Sequence, residues 1–141
     1  MKSPFTFFHP LRVRWSECDA QGIVFNVNYF LYFDVAMTEY MRELGYAFVG
    51  EDALEFYTVS AKADFRGSAV FDDEIEIGVR CARIGTKSMI AEFVIVRGED
   101  VLTEGEITYV HAARGTKDTT PLPDHFIDKV TAFEMTAPDR K

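Results

Sequence analysis

The segment Asn28-Tyr29-Phe30-Leu31-Tyr32-Phe33-Asp34-Val35-Ala36-Met37-Thr38-Glu39-Tyr40-Met41-Arg42-Glu43-Leu44-Gly45 decides the fold. It contains no Gly or Pro before Gly45. Asn28 is of a type that caps helix starts, and Leu44-Gly45 reads as a helix C-terminus. Tyr29, Tyr32, Phe33, Ala36, Met37, Tyr40, Met41 and Leu44 cover far more than one stripe of the helix. A helix apolar on most of its circumference is enclosed by other structure rather than laid on a surface. Asp34 and Thr38 interrupt the apolar wrapping at i,i+4 spacing, and Glu39, Arg42 and Glu43 bring the last turns to solvent.

What encloses the helix is strand-like. Upstream, Leu11 to Trp15 alternates as a half-exposed strand. Downstream, Phe56 to Phe65 is β-rich, and Ile75, Ile77, Val79 and Cys81 alternate with Glu74, Glu76, Gly78 and Arg80. Met89 to Val96 is mostly apolar, and Gly105, Ile107 and Tyr109 alternate with charged or polar neighbours. Ile84-Gly85-Thr86-Lys87 and Arg97-Gly98-Glu99-Asp100 have turn chemistry, and strands joined by short turns are antiparallel. Gly78 and Gly105 are expected where the sheet bends. Asp124 to Phe133 is expected to form a short terminal helix. The resulting fold class is α+β, a curved antiparallel sheet of about five strands wrapped around one long helix.

The chain has 141 residues, room for one ordinary domain, and residues 1–141 are read as such. Its residues are 48% apolar and 14% aromatic, which excludes disorder and exceeds what a small monomer needs to hide, so an oligomer or an apolar ligand site is expected. The net charge of −8 argues against a nucleic acid partner. Only Cys18 and Cys81 occur, with no CxxC, so a reducing cytoplasm is the expected compartment. The N-terminus is interrupted by Pro4, His9 and Pro10, and the longest uncharged run, Ala20 to Phe33, is too short to span a bilayer. No membrane insertion is expected.

No GxSxG elbow, HExxH, P-loop or dinucleotide fingerprint is present, and His9, His111 and His125 are scattered singly. No metal site is expected. The remaining candidate is Glu17-Cys18-Asp19-Ala20-Gln21-Gly22-Ile23-Val24-Phe25-Asn26-Val27-Asn28-Tyr29, a polar turn that leads into the helix. Read blandly, Asp19 forms an Asx turn that Gly22 completes, and Asn28 only caps the helix. Read chemically, a carboxylate beside a helix N-terminus faces unpaired backbone N–H groups. Those donors can hold a developing oxyanion while the carboxylate attacks or activates water.

At this point a family resemblance appears. Asp19-x-x-Gly22-Ile23-Val24-x-x-x-Asn28-Tyr29, then Phe33-Asp34-x-Ala36-x-Thr38-Glu39, resembles the hot-dog-fold acyl-CoA thioesterases, in particular the 4-hydroxybenzoyl-CoA thioesterase family and its Tol–Pal-associated branch. Ala63-Asp64-Phe65, Asp72-Asp73-Glu74-Ile75, Arg83-Ile84-Gly85-Thr86-Lys87-Ser88 and Pro121-Leu122-Pro123 extend it over most of the chain. The resemblance implies a cofactor-free hydrolase that cleaves an acyl-CoA to the free acid and CoA. It also implies a homodimer or a homotetramer built as a dimer of dimers, with active sites between subunits. By position, Asp19 matches the catalytic carboxylate, as nucleophile or general base, and Asn26 matches the residue whose backbone N–H polarises the thioester carbonyl. Asp34 matches an acidic position that meets a ring hydroxyl in the hydroxybenzoyl branch; a buried Asp bonded to Thr38 or to a partner subunit fits it equally. Tyr57, Thr58 and Val59 fall where relatives line the acyl or pantetheine channel. Arg83, Lys87 and Ser88 fall on the turn that contacts CoA phosphates, with Arg66, Arg114 or Lys117 as further sources of cations. A non-catalytic acyl-CoA or aromatic-ligand module on the same fold is the alternative.

Overall fold

The computed structural model describes residues 3–140. Five main strands, β1 (Phe7–Arg12), β2 (Glu55–Phe65), β3 (Glu74–Ile84), β4 (Ser88–Arg97) and β5 (Asp100–Ala112), form an antiparallel sheet in the order β1-β3-β4-β5-β2. A two-residue strand, β6 (Asp139–Arg140), pairs in parallel with the end of β3. Helix α1 (Asn28–Glu43) lies between β1 and β2 in the chain, and α2 (Asp124–Phe133) follows β5.

The apolar circumference of α1 is buried as its sequence requires: Tyr29, Tyr32, Phe33, Ala36, Met37, Tyr40 and Met41 join one core with Ile75, Ile77 and Val79 of β3 and Met89, Ala91 and Phe93 of β4. The period-2 patterns of β3 and β4 sort these residues onto the helix-facing side of the sheet. Phe33 stacks on Phe93 with ring centroids 4.7 Å apart. The helix has 16 residues, and it ends in a Schellman motif in which the Gly45 N–H donates to Arg42 O and the Tyr46 N–H to Met41 O. Gly45 has φ +93°, the left-handed conformation that such an end needs.

The antiparallel sheet with a helix agrees with the sequence reading, apart from local departures. The first strand is Phe7–Arg12 rather than Leu11–Trp15, and Trp15 to Glu17 form a 3-10 turn. Pro10 lacks an N–H, and an edge strand is where a sheet tolerates that. Asn28 does not cap α1; it is the first helical residue, and its side-chain amide donates to Glu17 O at 2.8 Å. Gly78 and Gly105 lie in unbroken register. They serve close packing instead: a Cβ on Gly105 would stand 2.5 Å from Phe33, and one on Gly78 2.8 Å from Val94 and 2.9 Å from Phe8. The register shifts fall elsewhere, with Val59 in β2, Ala82 in β3 and Leu102 in β5 as the unpaired residues.

Candidate functional site

The stretch between β1 and α1 is a compact loop held at several points. Cys18 bridges Val24, the Asp19 N–H donates to Ile23 O at 2.9 Å, and the Phe25 N–H donates to Glu17 O at 3.0 Å. The Val24 N–H donates to Ala69 O and the Phe71 N–H to Gly22 O, which seats the loop on the segment leading into β3. Glu17 is the buried anchor. Its carboxylate accepts from the Arg14 backbone N–H at 2.9 Å, from the Arg14 guanidinium and from the Tyr32 hydroxyl at 2.9 Å. Burial pushes the Glu17 carboxyl up, but the Arg14 guanidinium, the Arg14 backbone N–H and the Tyr32 hydroxyl together outweigh it and hold the group below the usual range.

Asp19 stands exposed on this anchored loop. One carboxylate oxygen, Oδ1, accepts from the Gln21 N–H at 2.8 Å and the Ile23 N–H at 3.4 Å, and Gly22, at φ +76°, closes the turn. The Asx turn is therefore present. The other oxygen accepts no hydrogen bond among the described residues, so the turn orients the carboxylate and leaves half of it available. The Asn28, Tyr29 and Phe30 N–H groups are taken up by Phe25 O, Asn26 O and Val27 O. Those of Asn26 and Val27 donate to no acceptor among the described residues. Asp19 and two open N–H donors thus share one loop at the positive end of α1.

Asp34 is exposed, and Thr38 bonds its backbone carbonyl at 2.9 Å rather than its carboxylate, so the expected buried pair with Thr38 does not form. The side chain lines a cavity of about 500 Å³ together with Met37, Met41, Phe56, Thr58 and Tyr109, with Arg114 at its edge. Burial and then the Asp34 charge push the Tyr109 hydroxyl up. Of the three expected channel residues only Thr58 faces this cavity. Tyr57 falls on the opposite face, where its hydroxyl donates to Thr116 O at 2.7 Å, and the bulge turns Val59 out to solvent.

Arg83, Lys87 and Ser88 sit at the β3–β4 hairpin, whereas the Asp19 loop abuts the other end of β3. Eleven strand residues separate the two ends, roughly 30 Å, so one chain does not bring these cations to its own Asp19. The cations on the Asp19 side are spoken for: Arg12 pairs with Asp72 and Glu74, Arg14 with Glu17, Arg66 with Glu104 and Arg97 with Asp73. Arg83, Lys87, Arg114 and Lys117, on the hairpin side, pair with no carboxylate among the described residues. Sequence reasoning passed over Glu17, whose three-residue spacing from Arg14 was its only signal, and over the Met37 and Met41 wall, which reads simply as core.

The sequence pattern of the thioesterase-like superfamily matches residues 13–130. Acyl-CoA thioesterase YbgC of Haemophilus influenzae is 25% identical over 104 residues, 72% of this chain and 76% of that protein. Among solved structures, the PA5185 protein of Pseudomonas aeruginosa superposes with a TM-score of 0.84 at 27% identity, covering 95% of each chain. The gentisyl-coenzyme A thioesterase BH1999 does so with a TM-score of 0.78 at 25% identity, over 88% of this chain and 98% of that one.

Proposed function

Because the chain belongs to the thioesterase-like superfamily, we propose that it is a single-domain, cytoplasmic acyl-CoA hydrolase of the hot-dog fold, with α1 as the central helix. The observation that carries this reading is the juxtaposition of a half-engaged Asp19 carboxylate with the open N–H groups of Asn26 and Val27. Those N–H groups receive the thioester carbonyl oxygen and stabilise the negative charge it gathers. Asp19 then acts in one of two ways. As nucleophile, its oxygen bonds to the carbonyl carbon, the C–S bond breaks to release CoA thiolate, and water hydrolyses the resulting anhydride. As general base, it takes a proton from water, whose oxygen bonds directly to the carbonyl carbon as the C–S bond breaks, and the proton passes to the released CoA thiolate.

The site is completed by a second copy. Strand β2 ends the sheet order, so one of its edges is unpaired within the chain. Its C-terminal end adjoins Arg66 and the segment that supports the Asp19 loop, and its N-terminal end adjoins the 113–118 turn. A two-fold axis pairing β2 with its copy runs the strands antiparallel. It thereby lays the Asp19 end of one protomer beside the unpaired cations of the other. Lys117, with Arg83, Lys87 and Ser88 farther out, is then the partner's grip on the CoA phosphates. The partner's cavity bearing Asp34 and Thr58, with Arg114 in its lining, receives the acyl group. The Asp34 carboxylate beside Met37, Met41 and Phe56 favours an acyl group carrying a hydroxyl, and BH1999, a gentisyl-coenzyme A thioesterase, supports that reading.

Thiol release from a panel of acyl-CoAs, run on wild type and Asp19→Asn, tests the proposal. We expect turnover of at least one member and a loss of about 100-fold or more in the variant. Turnover in a stable monomer would overturn the two-copy site, and tight binding without turnover would identify a ligand-binding module instead.

A further inference from the structure

The segment between α1 and β2 forms one wall of the 500 Å³ cavity, and its composition does not suit a surface loop. Phe48 is 57% exposed and Val49 is 82% exposed, both at the cavity rim. Both ends of the segment are fixed. Upstream, Tyr46 is buried, its hydroxyl lies 2.6 Å from His125 Nδ1, and Lys129 Nζ lies 4.4 Å from its ring centroid. Downstream, the Ala53 N–H donates to Gly50 O at 3.2 Å before β2 begins. Between these anchors, Ala47, Phe48 and Val49 make no backbone hydrogen bond among the described residues. Gly45 at φ +93° and Gly50 at φ +103° bracket them, and in that region only glycine turns freely.

A Gly-bracketed segment without backbone bonds that carries two apolar side chains over the Met37, Met41 and Phe56 part of the cavity gains by covering something apolar. Facing it across the cavity are Met37 and Met41, whose unbranched thioether chains repack around differently shaped occupants. Resting on the proposed hydrolase activity, we infer that Phe48 and Val49 are specificity residues that close over the acyl group and select bulky apolar acyl chains over small ones. Held at the thioester site of the other protomer, a medium-chain or aryl group reaches the wall and removes both side chains from water. An acetyl group leaves the wall uncovered and gains nothing from it.

The test is kcat/KM for acetyl-, octanoyl- and benzoyl-CoA with wild type and the Phe48→Ala/Val49→Ala double variant. Octanoyl- and benzoyl-CoA turnover should fall by about 10-fold, chiefly through KM, with acetyl-CoA turnover changed by less than about 2-fold. Phe48→Leu should restore most of the octanoyl-CoA preference. An unchanged preference, or an equal loss for all three substrates, would overturn the assignment. So would dissociation of the double variant to monomers in sedimentation, which would make the two residues a subunit contact. If wild type hydrolyses no member of the acyl-CoA panel, the hydrolase reading fails, and binding decides this one separately. A non-hydrolysable octanoyl-CoA thioether should bind the double variant about 10-fold more weakly while CoA alone binds both equally, and equal thioether binding would refute it.

Discussion

Replacing Gly105 with Ala tests how closely the helix approaches the sheet. A Cβ built there lies 2.5 Å from both Cε2 and Cζ of Phe33, about 0.9 Å inside ordinary carbon contact. Phe33 cannot yield cheaply, because it is fully buried, stacked on Phe93 at 4.7 Å and edge-on to Phe30 at 5.7 Å. Overpacking of this kind costs about 1–3 kcal/mol. Removing a glycine from the unfolded chain returns about 0.4–1 kcal/mol, so overpacking wins and the net loss is about 1–2 kcal/mol. For a chain of this length that lowers Tm by about 3–6 °C, measured by circular dichroism at one fixed protein concentration. A second background isolates the cause. In Phe33→Leu the offending ring atoms are gone, and adding Gly105→Ala there should cost less than about 0.5 kcal/mol. An unchanged Tm for the single variant, or the same cost in both backgrounds, would refute the close-packing account.

Two buried carboxylates should respond to pH in opposite directions. Burial raises the Glu134 pKa against the hydrogen bonds from Tyr40 and the Cys81 N–H, so its stabilising contribution is complete below the unfolded pKa and is lost as pH rises through the folded one. The Glu134→Gln variant keeps an acceptor for both donors without the charge. Its Tm should gain on wild type between pH 5 and pH 8, and parallel curves would count against the charge as the cause. Glu17 has a lowered pKa, so its contribution is present above the unfolded pKa and is lost as pH falls through the folded one. Glu17→Ala leaves the buried Tyr32 hydroxyl and the Arg14 N–H without their acceptor. It should cost about 2–3 kcal/mol in urea unfolding and depress acyl-CoA turnover by loosening the Asp19 loop; full activity would break that link.

The parts of this fold that were legible in sequence are those governed by local periodicity. The apolar circumference from Tyr29 to Leu44, the alternation through Ile75, Ile77 and Val79, and the Gly98-Glu99 turn each fix an element without reference to anything distant. Asp19 was legible for a similar reason, since its turn and the following helix start are contiguous in the chain. Tyr57 falls outside the Asp34 cavity by the ordinary two-residue alternation of β2, and Val59 does so because of the bulge, which nothing local announces. That Arg83 and Lys87 lie at the end of β3 remote from their own Asp19 was not legible, because sequence order carries no information about which end of a strand faces the loop. Whether a cation is free or already paired, as Arg66 is with Glu104, depends on a neighbour 38 positions away.

The bulge in β2 also bears on how this chain avoids uncontrolled assembly. An edge strand of 11 residues is a template on which any extended chain can add, and a protein with 13 Phe exposes many sticky segments while it folds. Val59 divides that template into two short runs in different register, and Lys62 and Asp64 put charge on the longer one. A strand that lacks the matching interruption gains only a few rungs before it falls out of step. In the proposed dimer a second copy carries the same interruption, so the edge would accept its own kind more readily than a misfolded intruder. Straightening it by deleting Val59 would turn a selective surface into a seed for fibres.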